Sequence, residues 1–129
     1  MQRALPTLLA FFAFGSAASA TATLFCTADD NASISITIGS VAVSNIVGVD
    51  IEVGDIFMST IPGRGEQIAL LQSFVSNDTI SIELSDQNLE RFIAQIRLFT
   101  NEYADGEQAI AGTLLVNGTG AYAMVCEES

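Results

Sequence analysis

The sequence predicts an all-β fold, an antiparallel β-sandwich or small barrel of about eight to ten short strands. Three observations predict it. Apolar residues alternate with Ser and Thr through much of the chain, the period of a half-buried strand. Gly, Asn and Asp interrupt that alternation about every eight to twelve residues, as turns between short strands require. Cys26 and Cys126 bracket nearly all of it. An even cysteine pair behind an export leader predicts a disulfide, here joining the N- and C-terminal strands. In the chain-entropy picture, closing a loop of that size restrains the unfolded state by about 4–5 kcal/mol.

The leader is read from residues 1–20. Met1-Gln2-Arg3 is a short positive start, Leu8, Leu9, Phe11 and Phe12 lie in an apolar stretch, and Ala18-Ser19-Ala20 is a small-residue cleavage signal. The apolar stretch runs for about ten residues, half the roughly 20 that a bilayer core demands. Residues 1–20 are therefore expected to be a signal peptide and residues 21–129 a single exported β domain, periplasmic or secreted. No membrane insertion is expected after the leader is removed. Cys26 lies near the leader, but Phe25 precedes it where lipoprotein processing needs a small residue.

The first strand is expected at residues 23–27, with Leu24 and Cys26 on one face, and Asp29-Asp30-Asn31 turns the chain. Ala32, Ile34, Ile36 and Ile38 then alternate with Ser33, Ser35 and Thr37 until Gly39-Ser40. Val41 and Val43 continue the pattern to a bend at Ser44-Asn45; Val49, Ile51 and Val53 follow, with Asp50 and Glu52 on the opposite face. Gly54-Asp55 turns into an apolar run that ends at Pro62-Gly63-Arg64-Gly65. The fixed φ of proline and the freedom of two glycines predict a loop standing proud of the sheet. Residues 67–75 are dense in apolar side chains and predict a central strand, and Ile80, Ile82 and Leu84 alternate in the next.

The period then changes. Leu89, Phe92, Ile93 and Ile96 have helical spacing and Ser85 or Asp86 suits a cap, so one short helix is expected near residues 86–95, before a strand at 96–100. A continuous strand over 92–99 is the rival, which periodicity does not separate from it. Residues 101–107 form a polar loop. Asn117-Gly118 then predicts a hairpin, with positive φ at both turn centres, between the last two strands.

Composition removes whole classes of chemistry. The chain has no histidine and no lysine, so Ser-His-Asp, Cys-His and Ser-Lys catalysis and imidazole zinc sites are excluded. The dinucleotide and phosphate-loop fingerprints are missing, and no cofactor is expected. Without the leader, Arg64, Arg91 and Arg97 stand against fifteen acids, a formal charge of −12. Such a surface repels nucleic acid and anionic lipid and attracts a basic protein. A carboxylate-pair glycosidase remains formally open. Any two of the acids can be nominated for it, and a sugar cleft wants aromatic walls in a chain that lacks tryptophan.

Calcium is the metal the side chains suit, through hard oxygen ligands. Asp86-x-Asn88-x-Glu90 opens like a calcium loop, then places Arg91 at the glycine position and Arg97 at the twelfth. Asp50, Glu52 and Asp55, or Asp29, Asp30 and Asn31, are other candidate groupings; a solvated acidic edge that discourages aggregation is the commoner meaning. Asn31, Asn77 and Asn117 each begin an N-x-S/T triplet, a glycan acceptor only in a eukaryotic secretory context. Arg64 is the one cation on a predicted exposed loop, with Ser59, Thr60 and Glu66 around it. These four residues are the candidate partner-binding loop.

Gly54, Phe57, Arg64-Gly65 and Ala69-Leu70 follow one another in an order that resembles the motif of bacterial periplasmic lysozyme inhibitors, S-G-x-x-Y, then W-x-K-G, then Ala-x-Leu. The leading serine, the tyrosine, the tryptophan and the lysine of that motif are missing, and the spacing drifts. The resemblance implies an acidic inhibitor of a basic peptidoglycan hydrolase. The reading of the residues is thus a non-enzymatic exported domain that binds a protein partner in the cell envelope. The alternatives are a calcium- or small-ligand-binding module and, third, a carboxylate-dependent glycosidase.

Overall fold

The computed structural model describes residues 21–29, 31–40 and 44–128. Within them run β1 (Thr21–Ala28), β2 (Ala32–Ser40), β3 (Ser44–Val53), β4 (Ile56–Ser59), β5 (Glu66–Val75), β6 (Thr79–Asp86), β7 (Phe92–Glu102), β8 (Gln108–Val116) and β9 (Gly120–Glu128). Each strand pairs with the next and β9 pairs back onto β1, so the nine close into one barrel. The expected leader, Asp30, Val41 and Val43 lie outside the described residues.

The period-two pattern becomes an inside and an outside. Ile34 and Ile36 of β2, Ile51 of β3, Ile82 and Leu84 of β6, Ile96 and Leu98 of β7 and Leu114 of β8 all point inward and are essentially inaccessible to water. Burying each such side chain contributes about 1.5–3 kcal/mol, which makes this apolar filling the main source of stability. Gly112 belongs to the same inward set of β8. A Cβ there would lie 1.9 Å from the Arg97 carbonyl oxygen, so the residue lets β7 and β8 approach where a side chain would part them.

Cys26 and Cys126 form the expected disulfide, across 100 positions of sequence. Both cysteines are buried and belong to the core itself. Disulfides form and persist chiefly in oxidising, extracytoplasmic compartments, which the bridge favours for this chain.

Five expectations need correction. Residues 86–95 do not form a helix. β6 runs to Asp86 and β7 starts at Phe92, so the rival continuous strand is the one observed. The Asp86 carboxylate accepts hydrogen bonds from the Glu90 and Arg91 N–H groups at 2.8 and 3.1 Å, closing a tight turn in which Leu89 takes φ 60°. Leu89 is 57 % exposed. The apolar spacing that suggested a helix thus joined an outward turn residue to inward strand residues.

β5 lies between β4 and β6, but its residues 70–74 are exposed on both faces, because β4 pairs with it only at Glu66 and Gln67 and leaves the rest of the strand one neighbour. Ser44 and Asn45 do not bend but open β3, paired with Ser40 and Gly39. The sheet is not wholly antiparallel, since β4 and β5 run parallel through Met58↔Glu66 and Ser59↔Gln67. Parallel neighbours ordinarily need a crossover of a dozen or more residues. Here the pairing is so short that the 60–65 connection suffices, reversing direction with φ +84° at Gly63 and +62° at Gly65. The Asn117-Gly118 hairpin is present, but only Gly118 takes positive φ and Val116 pairs with Gly120, so the turn holds three residues rather than two.

Candidate functional site: the loop between β4 and β5

The 60–65 loop is fastened to β3 rather than free. At its base Ser59 is fully buried; its hydroxyl donates to Asp50 Oδ1 at 2.5 Å and accepts from the Ile61 N–H at 3.0 Å. Thr60 fills the next rung. Its N–H donates to the Val49 carbonyl at 3.0 Å, and its Oγ1 accepts from the Val49 N–H at 3.0 Å. A side-chain hydroxyl therefore does the work of a strand carbonyl. On the other flank, Gln67 Nε2 donates to the Thr60 and Ile68 carbonyls at 3.1 and 3.0 Å.

Asp50 is the hub. It faces outward on β3, receives the Ser59 hydroxyl on one oxygen and the Arg64 guanidinium on the other at 3.0 Å. The Arg64 guanidinium also lies over the Phe57 ring, 5.6 Å from its centroid. The arginine side chain is 52 % exposed, so the pair is worth at most about 1 kcal/mol and acts chiefly to orient the loop. Gly65 allows that posture: a Cβ there would meet the Phe57 carbonyl oxygen at 2.6 Å.

Of the four candidate loop residues, then, Ser59 and Thr60 are anchors, while Arg64 and Glu66 are the exposed ones. The sequence did not reveal Asp50 as their common tie or Gln67 as the second clamp. An acid at an outward strand position, with a lone arginine fourteen residues on, is the unused signal for the first.

Apolar side chains surround the loop. Val47, Ile61 and Leu70 are exposed beside it, Val47 to 59 %, while Leu71 and Phe74 are exposed farther along β5. Val47, Leu70 and Pro62 of the loop line one cavity of about 520 Å³, between β3 and β5. A smaller one of about 270 Å³ lies on the outer face between Phe25 and Phe57, with Asp50, Glu52 and Arg64 on its walls.

The acidic candidates are placed apart. Asp50 is engaged as described, Glu52 pairs with Phe57 in the β3–β4 ladder and Asp55 sits in the turn beyond. Asp86 spends its carboxylate on its own turn. The Glu90 N–H above all, with the Arg91 N–H and the Arg91 charge, holds that carboxyl below its ordinary value of 3.8. Among the described residues no group of three or more acids or cysteines gathers closely enough to hold a metal ion. No helix of the described residues is long and apolar enough to cross a membrane. No family model, no curated protein and no solved structure matches this chain, so the residues themselves carry its functional reading.

Proposed function

We propose that this chain is an exported, non-catalytic binding domain that uses its barrel as a rigid mount and the β4–β5 loop as its contact surface for a protein partner of the cell envelope. The observation that carries the reading is the concentration of exposed apolar side chains, Val47, Ile61 and Leu70, beside a tethered loop bearing an exposed arginine. Apolar surface gathered in one place and rimmed by polar groups marks an interaction site. The net charge favours a basic partner, and a basic peptidoglycan hydrolase of the periplasm is the partner class that the charge and the motif resemblance support.

The test is capture from periplasmic fluid on immobilised residues 21–129, with Leu70→Glu and a remote Asp105→Asn variant alongside. Specific retention by the parent and Asp105→Asn proteins, lost in Leu70→Glu, is the expected result. Equal retention by all three would reduce the interaction to general charge attraction and remove the loop from it. Adding the protein to a basic muramidase assay separates the inhibitor from a binder of another kind, because only the inhibitor slows lysis.

A further inference from the structure

β4 is four residues long and its neighbours β3 and β5 are ten each. β3 pairs with β4 only over residues 50–53, and β5 pairs with β4 only at Glu66 and Gln67. Beyond those rungs, among the described residues, 44–48 of β3 are paired on the β2 side alone and 69–75 of β5 on the β6 side alone, with Val47 and Leu71 left out at the two register shifts. Because β3 is antiparallel to β4, and β4 parallel to β5, the two bare edges run antiparallel to one another. A β4 continued past Ser59 would run along them. Cα atoms of β3 and β5 already approach within 8 Å, less than the roughly 9.6 Å of two strand spacings, so a strand adds to one edge rather than between both. The 520 Å³ cavity occupies that place, walled by Ile46, Val47 and Val49 on one side and by Ile68, Ala69 and Leu70 on the other. Thr60 and Gln67 cap the closed end, satisfying the first backbone groups of each edge.

Exposed edges are ordinarily blunted by charge, by proline or by a covering loop. These two are not. Residues 44–48 and 68–75 contain no charged residue and no proline, in a chain otherwise rich in acids. The chain leaves the ring at Thr60 instead of completing the strand, and among the described residues the two edges remain without a strand partner on that side.

We infer that the gap between β3 and β5 is a strand-addition site, which takes an extended, alternately apolar segment of a partner protein flanked by lysine or arginine. This rests on the partner-binding reading and adds its mode. Main-chain hydrogen bonds to one edge supply the affinity, and alternate side chains enter the apolar slot. The basic flanks follow from charge: Glu66 opens β5 and Glu83 of β6 stands beside Gln72 of β5, in a chain whose net charge is strongly negative. An acidic segment would be repelled from the same place.

The probe is a capped decapeptide of alternating valine and threonine between paired lysines, added to residues 21–129 and followed by amide hydrogen exchange and NMR shifts. Binding is expected to protect amides within 44–48 or within 68–73, to weaken at least tenfold with paired glutamates in place of the lysines, and to vanish when alternate peptide nitrogens are methylated. Val47→Lys and Leu70→Lys are expected to lower affinity tenfold or more, and Phe25→Ala to leave it unchanged. Undiminished binding by the N-methylated peptide overturns strand addition without reliance on any variant's folding. Shifts confined to Phe25, Phe57 and Glu52 move the site to the other groove and overturn it as well. Self-association of the protein alone, abolished by Leu70→Lys, would make a second copy the occupant in place of a basic segment. If the peptide fails while a captured partner is still lost in the Leu70→Glu variant, strand addition falls and partner binding stands; if both fail, both fall.

Discussion

Cys26 and Cys126 stand directly opposite one another in the β1–β9 ladder, with their bridge on the inside of the barrel. That ladder is only four residue pairs long, from Leu24↔Glu128 to Thr27↔Val125, whereas β7 and β8 share nine. The disulfide thus sits at a short seam, and the ring of strands closes where the covalent bond is.

Replacing both cysteines by serine is expected to cost about 2–5 kcal/mol, the usual loss for a small secreted domain. Urea unfolding of the oxidised parent and the double variant measures it. Because Cys26 is inaccessible, the native protein should also resist mild reductant until denaturant is added. Rapid thiol release from the folded state would contradict the buried placement.

Gly112→Ala should be among the most damaging single changes of a small residue. The added methyl meets the backbone of Arg97 rather than a movable side chain, and overpacking of this kind costs about 1–3 kcal/mol or more. Gly54→Ala, where a Cβ would meet nothing, strains only the positive φ of a turn and should cost less. Melting temperatures of the two variants in parallel decide the order.

Around the loop, Ser59→Ala is expected to destabilise more than Arg64→Ala. The first removes a buried hydroxyl bonded to a carboxylate, worth about 1.5–3 kcal/mol; the second removes an exposed ion pair worth at most about 1 kcal/mol. Arg64→Ala should instead raise the mobility of residues 61–65, seen as faster amide exchange, with the barrel unaffected. A larger loss of stability in Arg64→Ala than in Ser59→Ala would reverse the roles assigned here.

The Asp86 turn carries a pH signature. Its carboxyl titrates lower in the folded protein than in the unfolded chain, so the stabilisation is fully present above pH 3.8 and is lost as pH falls through the folded value below it. Stability curves of the parent and Asp86→Asn proteins should therefore run parallel above pH 3.8 and converge beneath it. Curves that stay parallel down to the acid transition would show that the charge of Asp86 contributes nothing to the turn.

Much of the fold was legible where one face of a strand had to be buried. The alternation from Ala32 to Ile38 declared β2, and Asp50 and Glu52 against Val49 and Ile51 declared which side of β3 met water. The run from Leu89 to Ile96 misled, since spacing does not say whether a turn residue points outward, and the hydrogen bonds from Glu90 and Arg91 to Asp86 become visible only in three dimensions. The loop was legible as a loop, from Pro62, Gly63 and Gly65, but its tether through Asp50 was not.

The amino-acid order by itself determined the strand content, the inward set and the pairing of the two cysteines, because period-two burial and an even thiol count are local or compositional facts. Only the tertiary structure decided that the strands close as a ring, that β4 stops after four residues and runs parallel to β5, and that Ser59 is an anchor rather than a contact. Those features depend on which edges meet after the chain has closed on itself, and no run of neighbouring residues encodes that meeting.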